Sequence, residues 1–383
     1  MLTTILKLVP GGQGIGETPE GKKAFVWDAL PDEPVEFDIT KDKRSYCEGI
    51  ARHIFNANPH RIMPKDECFL ATSPWQIMDY DYELEQKRLL VQECFMQNHL
   101  AVNPEPTVTD GRDFFYRNKM EYSLYWDNND GKIYPAFHER GTHRKVPITQ
   151  SSIERPEIWA KAQEIIAKLN AEHAEARTYQ SLLLRCDQQG NVSGDLFVNG
   201  QPHPVMKNLE DTLCGYRYSY SPNGFFQINL PVYEMVLNEI KNHITTDSVL
   251  DLYAGVGSIG LSVARDKDLT LVEVNGAAYE EMKKNAEGTG ANCVLAKSED
   301  VTEYIAPDQT IILDPPRAGC DKKLIEKLNE VKPKTIVYLS CNPITQARDI
   351  AMLTDNYEIQ KVTPYNFFPR TPHIESLAIL VRK

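Results

Sequence analysis

From Val249 onward the chain alternates short apolar runs with amphipathic ones, and this alternation constrains the fold more than any other feature. Val249–Leu252, Thr270–Val274, Cys293–Ala296, Thr310–Leu313 and Thr335–Leu339 read as strands, while Ile259–Ala264, Ala277–Ala286 and Lys322–Val331 carry helical spacing. Strands separated by helices cannot pair as hairpins, so they form a largely parallel sheet with helices on both faces. Tyr357–Val362 and Leu377–Val381 follow with no helix between them and read as an antiparallel pair closing one edge. The expected class is α/β, with a Rossmann-like domain over residues 221–383.

Two other regions precede it. Residues 1–58 read as a small barrel: strands at Leu2–Val9, Lys23–Trp27 and Val35–Thr40, with a glycine turn over Gly11–Gly16. No helical pattern follows that glycine run, so it lacks the setting of a phosphate loop. Residues 59–220 read as a central α+β domain. It has helices over Tyr82–Asn98 and Glu154–Glu175, and strands over Phe114–Trp126 and Ile133–Arg140 flanking the turn Asn128-Asn129-Asp130-Gly131. A further hairpin is expected from Ser181–Arg185 and Asp195–Val198. A length of 383 residues accommodates such a three-part division.

Charge and cysteine usage narrow the setting. A net charge of −12 argues against a non-specific nucleic-acid coat and leaves room for one local basic groove. The 8 cysteines include no Cys-x-x-Cys pair, so zinc ribbons and redox pairs are not indicated, and reduced thiols are expected. The first residues, MLTTILKLVPGG, are too short an apolar run for a signal peptide, and no stretch approaches the ~20 apolar residues of a membrane span. A cytoplasmic protein without membrane association is expected.

Residues 251–260, DLYAGVGSIG, place a glycine loop between a strand and a helix. Gly255-x-Gly257-x-x-Gly260 alone is a weak nucleotide signal, since a bare glycine turn would look the same. Its neighbours add to it: Asp251 ends the first strand, where a carboxylate meets a cationic or amine-bearing ligand. Glu273 ends the second, where a carboxylate accepts bonds from ribose hydroxyls. Either NAD or S-adenosylmethionine fits so far. Asp314-Pro315-Pro316-Arg317 at a later strand end, and the antiparallel closing pair, favour S-adenosylmethionine.

Cys341 and Glu375 complete a reactive set. Most buried cysteines are small hydrophobes, but Cys341 follows a strand, beside Asp314, in the sequence Ser340-Cys341-Asn342-Pro343. Glu375 opens the last, almost wholly apolar strand, where desolvation raises a carboxyl toward acid/base use. A methyl donor, a cysteine and a carboxylate suit methylation of uracil C5. Thiolate addition at C6 makes C5 nucleophilic, and a base then removes the C5 proton. Arg317 would stabilise developing charge.

The chain resembles the RNA 5-methyluridine (uracil-C5) methyltransferases. The segments that carry the likeness are FFYRNKMEYS (114–123), SPNGFFQIN (221–229), DLYAGVGSIG (251–260), DPPRAG (314–319), LSCNPITQARD (339–349) and FFPRTPHIE (367–375). The resemblance implies Cys341 as nucleophile, Glu375 as proton acceptor, and Gln227, Tyr253, Glu273 and Asp314 as contacts of S-adenosylmethionine. It also implies that residues 1–58 are a TRAM domain, an OB-like RNA-binding barrel. By analogy that barrel favours ribosomal RNA (23S) as substrate, with transfer RNA (uridine 54) as the alternative. A base-amine methyltransferase and a non-catalytic RNA-binding protein are the rival readings. No obligate protein partner is expected.

This sequence departs from the pattern in two places. TRAM-bearing members often hold a 4Fe–4S cluster on four cysteines, three of them just before a Gln matched here by Gln76. Pro64, Leu70, Ser73 and Ser151 or Ser152 stand near those positions, leaving Cys68 as the lone thiol. Ser258 stands where the family often has Asn. For RNA, Arg112, Arg117, Lys119, Arg140, Arg144 and Lys145, interleaved with Phe114, Phe115, Tyr116 and Phe137, suggest a basic aromatic surface for splayed bases. Four thiolates cannot be assembled, so protein purified anaerobically should be colourless; stoichiometric iron and sulfide would overturn this expectation.

Overall fold

The structure, a computed structural model, describes residues 1–142, 144–172, 178–204 and 208–383. Five strands close a barrel at the start: β1 (Leu2–Leu8), β2 (Gly14–Glu17), β3 (Lys23–Trp27), β4 (Pro34–Asp42) and β5 (Tyr46–Ile54). Its interior is filled by Ile5, Ala24, Val26, Val35, Phe37 and Cys47. The glycine run divides its work, which corrects the turn expected over its whole length. Gly11 and Gly12 make the turn with positive φ, whereas Gly14 and Gly16 lie inside β2. A Cβ on Gly16 would stand 2.3 Å from Thr3 Oγ1, so close strand approach is what requires glycine there.

The central region begins with α1 (Phe69–Thr72) and α2 (Tyr80–Gln97), the latter capped by Asp79, which accepts a bond from Tyr82 N at 2.8 Å. A sheet follows, built from β6 (Lys119–Asp127), β7 (Lys132–His138) and β8 (Lys145–Pro147). After α3 (Pro156–Ala171) it is completed by β9 (Tyr179–Cys186), β10 (Val192–Val198) and β11 (Gln201–Pro204), in the order β11-β10-β9-β6-β7-β8. Strand β6 starts later than the sequence suggests, because Phe115 takes a left-handed φ of 56° and breaks the extended run. The expected extension of α3 toward Glu175 falls partly on residues 173–177, outside the described residues. The hairpin β12 (Leu209–Leu213) and β13 (Tyr216–Tyr220) leads onward.

The last region is the expected α/β sheet. In chain order it comprises α4 (Leu230–Asn242), β14 (Ser248–Leu252), α5 (Ser258–Val263), β15 (Asp268–Glu273), α6 (Gly276–Asn285), β16 (Asn292–Leu295) and β17 (Gln309–Leu313). It ends with α7 (Lys322–Val331), β18 (Thr335–Ser340), α8 (Pro343–Ala351), β19 (Tyr357–Tyr365) and β20 (Glu375–Arg382). The sheet order is β16-β15-β14-β17-β18-β20-β19, parallel except that β20 runs against both neighbours. Alternate residues supply two cores. Leu250, Ile311 and Ile336 face α7, α8 and residues Leu90, Val91 and Phe95 of α2. Val249, Ile312 and Val337 face α4, α5 and α6. Helix α2 thus packs on the carboxyl-terminal sheet although it lies in the middle of the chain.

A buried polar knot stands where thiolates would have to gather. Asp66, 1% exposed, accepts bonds from Ser152 N at 3.0 Å, Ser152 Oγ at 2.7 Å and Gln76 Nε2 at 2.9 Å. Gln76 also donates to Ser73 Oγ at 2.7 Å and accepts from Lys65 N and Asp66 N. These bonds tie the segment before α2 to the loop before α3. Asp66→Ala should leave several buried donors without acceptors and destabilise the protein by about 2–4 kcal/mol, read as a lower urea midpoint. A midpoint unchanged from the parent would remove the knot from the list of supports.

Candidate active site

The parallel strands β15, β14, β17 and β18 all end at one sheet edge, and the loops leaving that edge carry the candidate residues. After β14 the chain turns sharply. Tyr253 has φ 64°, Gly255 φ 57° and Gly257 φ 83°. No atom lies within 4 Å of the place where a Cβ on Gly255 would stand, so this stretch of backbone is open to a ligand. Gly260 is required for a different reason: a Cβ there would meet Leu271 at 2.6 Å and Asp251 Oδ2 at 2.8 Å.

Two carboxylates brace the loop. Asp251 is fully buried; its Oδ2 accepts from Gly260 N at 2.8 Å, while its Oδ1 has no partner. Burial pushes its carboxyl up to about 8, helped by the negative neighbours Asp314 and Glu273 and opposed by the Gly260 N–H. Glu273 accepts from Gly255 N at 2.8 Å and Asn275 N at 2.6 Å, so it shapes the loop besides facing any ligand. Ser258 is engaged with Tyr233 through their hydroxyls at 2.7 Å.

Gln227 arrives on the loop between β13 and α4, which the central region holds. Asn118 Nδ2 donates to the Gln227 carbonyl at 3.1 Å, and Asn118 N to the Ile228 carbonyl at 3.0 Å. The buried Arg185 guanidinium donates to the carbonyls of Gly224 and Phe226. Phe225, held between those carbonyls, is 74% exposed. Neither Asn118 nor Arg185 stands out in the sequence as a loop anchor, since each bridges distant segments.

Cys341 and Glu375 meet through strand register. Ser340 of β18 pairs with Ser376 of β20, so the next residue on each, Cys341 and Glu375, faces its counterpart just beyond the ladder. Asp314 leaves the adjoining β17 one residue after Leu313, which pairs with Tyr338. Burial pushes the Cys341 thiol up to about 11, reinforced by Glu375 and Asp314, while Arg317 pulls it down in part through a hydrogen bond to the thiol. Burial also raises Glu375 well above its ordinary range and brings Asp314 up to about 7. His373 sits at the rim with its Nδ1 3.4 Å from Arg317 Nη2, and desolvation with nearby cations lowers it to about 4.

The proposed basic surface is only partly assembled. Tyr116 and Phe137 belong to the core beneath β6 and β7, and Arg144 pairs with Glu139. Arg112 pairs with Asp110, and Lys145 donates to the Leu124 carbonyl. Lys65 stands over Phe114 and Phe115 at 4.7 and 4.3 Å, Arg140 stacks on Trp27 at 4.1 Å, and Lys119 donates to the carbonyls of Asn223 and Gly224. Near this stretch Phe115, 42% exposed, and Phe225 point outward. Among the described residues no group of three or more His, Cys, Asp or Glu could hold a metal, and no helix is long and apolar enough to cross a membrane.

The buried acids give a pH signature. A carboxyl raised in the folded state holds its proton more tightly there than when unfolded. Its stabilising contribution is complete below the ordinary carboxyl range and is lost as pH climbs through the raised value. For Asp251 that window ends near 8. Stability of the parent relative to Asp251→Asn, which stays neutral, should therefore fall between pH 5 and 8 by at most ~1.4 kcal/mol per pH unit. Urea titrations at three pH values read this difference, and a flat or rising difference would contradict it.

Comparison with known proteins agrees with this architecture. Residues 278–383 match the family tRNA (Uracil-5-)-methyltransferase. An uncharacterized RNA methyltransferase of Bacillus cereus is 29% identical, the alignment spanning 99% of this chain and 96% of the relative. One from Listeria innocua is also 29% identical, over 99% and 97%. The crystal structure of Pyrococcus abyssi tRNA (uracil-54, C5)-methyltransferase in complex with S-adenosyl-L-homocysteine superposes with a TM-score of 0.79, covering 100% of both chains at 24% identity, which establishes the shared fold. The chain is thus similar along nearly its whole length to RNA methyltransferases, it shares their fold of a β-barrel ahead of a Rossmann-like sheet, and its residues 278–383 match the tRNA (Uracil-5-)-methyltransferase family.

Proposed function

We propose that this enzyme methylates C5 of a uracil in RNA, with S-adenosylmethionine as donor and a covalent Cys341–C6 adduct on the way. The observation that carries the reading is the register that sets Cys341 opposite Glu375, with Asp314 and Arg317 beside them. A base-amine methyltransferase has no use for a thiol there, and a binding protein has no use for either group.

The glycine loop fits the donor. The orphaned Asp251 Oδ1, the open backbone at Gly255 and the oriented Glu273 carboxylate suit an amine and a ribose, with Gln227, Tyr253 and Asp314 as further contacts. When bound, S-adenosylmethionine supplies an electrophilic methyl group and a positive charge.

The chain's own residues supply the rest. In this reading Cys341 gives up its proton to solvent water and its sulfur bonds to C6, while Arg317 favours the thiolate and the negative charge that develops on the pyrimidine. That addition turns C5 into a carbon nucleophile. Once C5 carries the methyl group, Glu375 removes the C5 proton, the C5–C6 double bond re-forms and the thiolate is expelled. The uracil must be swung out of its stack to reach Cys341, and the outward Phe115 and Phe225 are placed to stack on exposed bases.

Transfer RNA is the better supported substrate. The family description names tRNA, which favours that alternative over the ribosomal reading suggested by the barrel. Nucleoside mass spectrometry of both RNA pools from a deletion strain would separate them.

The mechanism is tested with tRNA transcripts containing 5-fluorouridine, whose C5 fluorine cannot leave as a proton. The parent should form an adduct stable to denaturing electrophoresis, and Cys341→Ala should lose both adduct and turnover. Glu375→Gln should accumulate a methylated covalent complex with ordinary uridine. Methylation by Cys341→Ala would overturn the covalent route; wild-type turnover by Glu375→Gln would move the base elsewhere, with His373 next to test.

A further inference from the structure

Helix α2 carries a buried ion pair that the mechanism above does not use. Glu83 and Lys87, one turn apart, are both 0% exposed, with Lys87 Nζ 3.1 Å from Glu83 Oε1. Such a pair at this spacing ordinarily lies on a solvated helix face. Here every other bond it makes goes to residues 366–370, the start of the loop that ends at Glu375.

Lys87 Nζ donates to Asn366 Oδ1 at 2.6 Å and to the Phe368 carbonyl at 3.0 Å. Glu83 accepts from Asn366 Nδ2 at 3.1 Å and from Arg370 N at 3.0 Å. Arg370 holds a left-handed φ of 63° and sends its guanidinium to the Met78 carbonyl at 2.6 Å and to Asp113. Its own carbonyl accepts from Trp75 N at 3.0 Å, and Trp75 Nε1 donates to the Gly12 carbonyl of the barrel turn at 3.0 Å. The pair therefore sits at the centre of a frame that joins α2, the barrel and the loop.

A buried ion pair costs desolvation that apolar side chains would not, so stability alone gives little reason for it. Its geometric effect is local to the catalytic loop. Cys341 is delivered by β18 and α8, and none of the frame's hydrogen bonds reaches it. Glu375 is the first residue after the loop, so the placement of its carboxylate depends on where the loop ends.

Resting on the uracil-C5 reading, we propose that Glu83 and Lys87 are positioning residues for Glu375: they fix the loop so that its carboxylate reaches the C5 proton, and they act on release rather than on addition. The role predicts a split that general damage would not produce. Glu83→Gln/Lys87→Met removes both charges with little change of shape. Its adduct formation with 5-fluorouridine tRNA should stay within about twofold of the parent, while turnover falls at least about tenfold. A methylated covalent complex should accumulate on ordinary uridine tRNA, as for Glu375→Gln.

Lys87→Arg keeps the charge but misplaces the donors to Asn366 and Phe368, and should show the same split more weakly, about threefold. It serves as the test if the double variant does not fold. Unchanged turnover in the folded variant, or a parallel loss of addition and turnover without accumulation, would overturn the proposal. A parent enzyme that forms no adduct with 5-fluorouridine tRNA would instead overturn the covalent reading, and this inference with it.

Discussion

The reversal of one strand determines what the sheet edge presents. In a parallel sheet, residues at carboxyl ends share an edge and residues at amino ends lie on the other. Glu375 is at an amino end, yet it stands beside Cys341 and Asp314 because β20 runs antiparallel between β18 and β19. Were β20 parallel, its first residue would lie a strand length away from the thiol. The pairing of Ser340 with Ser376 fixes more than direction. A slip by one residue would turn the Glu375 side chain to the other face of the sheet. The apolar run from Leu377 to Leu380, buried on both faces, resists such a slip.

Around that edge, the parts that precede the sheet in sequence act as clamps. Asn118 and Arg185 hold the backbone of the loop bearing Gln227, while Glu83, Lys87 and Trp75 hold the loop before Glu375. Trp75 does so through its backbone N–H and the others through side chains, bonding to loop carbonyls or amides and so satisfying buried backbone groups without a regular ladder. The barrel contributes through Gly12, where a Cβ would come within 2.6 Å of Pro372. A long central region is thus compatible with a candidate site built from residues 227–375.

Local pattern made the site legible in sequence, and long separation hid its supports. The strand and helix periods from Val249 onward, the glycine loop, and Asp314, Cys341 and Glu375 at strand ends are all encoded within a few residues, and all are found at one edge. Strand β5 was not legible, because Tyr46–Ile54 mixes charged and apolar residues and earns its place by pairing with both β3 and β4. Helices α4 and α8 each have a proline in the first turn after an asparagine cap position, Pro231 after Asn229 and Pro343 after Asn342, a start signal overshadowed by the motifs they adjoin. Nothing local marks Lys87 as buried, because its partners Asn366 and Phe368 lie about 280 positions away. The basic stretch from Arg112 to Lys145 misled in the opposite sense: its charges and rings interleave in sequence, but pairing and the hairpin's inner face remove several from the surface.

On the proposed covalent route, the electrostatics of the edge bear on how a thiol this reluctant would become a nucleophile. Asp251, Asp314 and Glu375 are carboxyls raised by burial, and two of them stand close enough to Cys341 to oppose its ionisation. Arg317 is the nearby cation that counteracts them, and it is exposed, where water weakens its field. Displacing that water with a nucleobase strengthens the attraction between Arg317 and a thiolate. A cationic donor lodged against Asp251 and Asp314 would offset the negative charge behind the sulfur. Both ligands would therefore push the thiol toward its reactive form, and neither would do so from outside the site. On the proposed route, then, the nucleophile is generated chiefly when both substrates are in place.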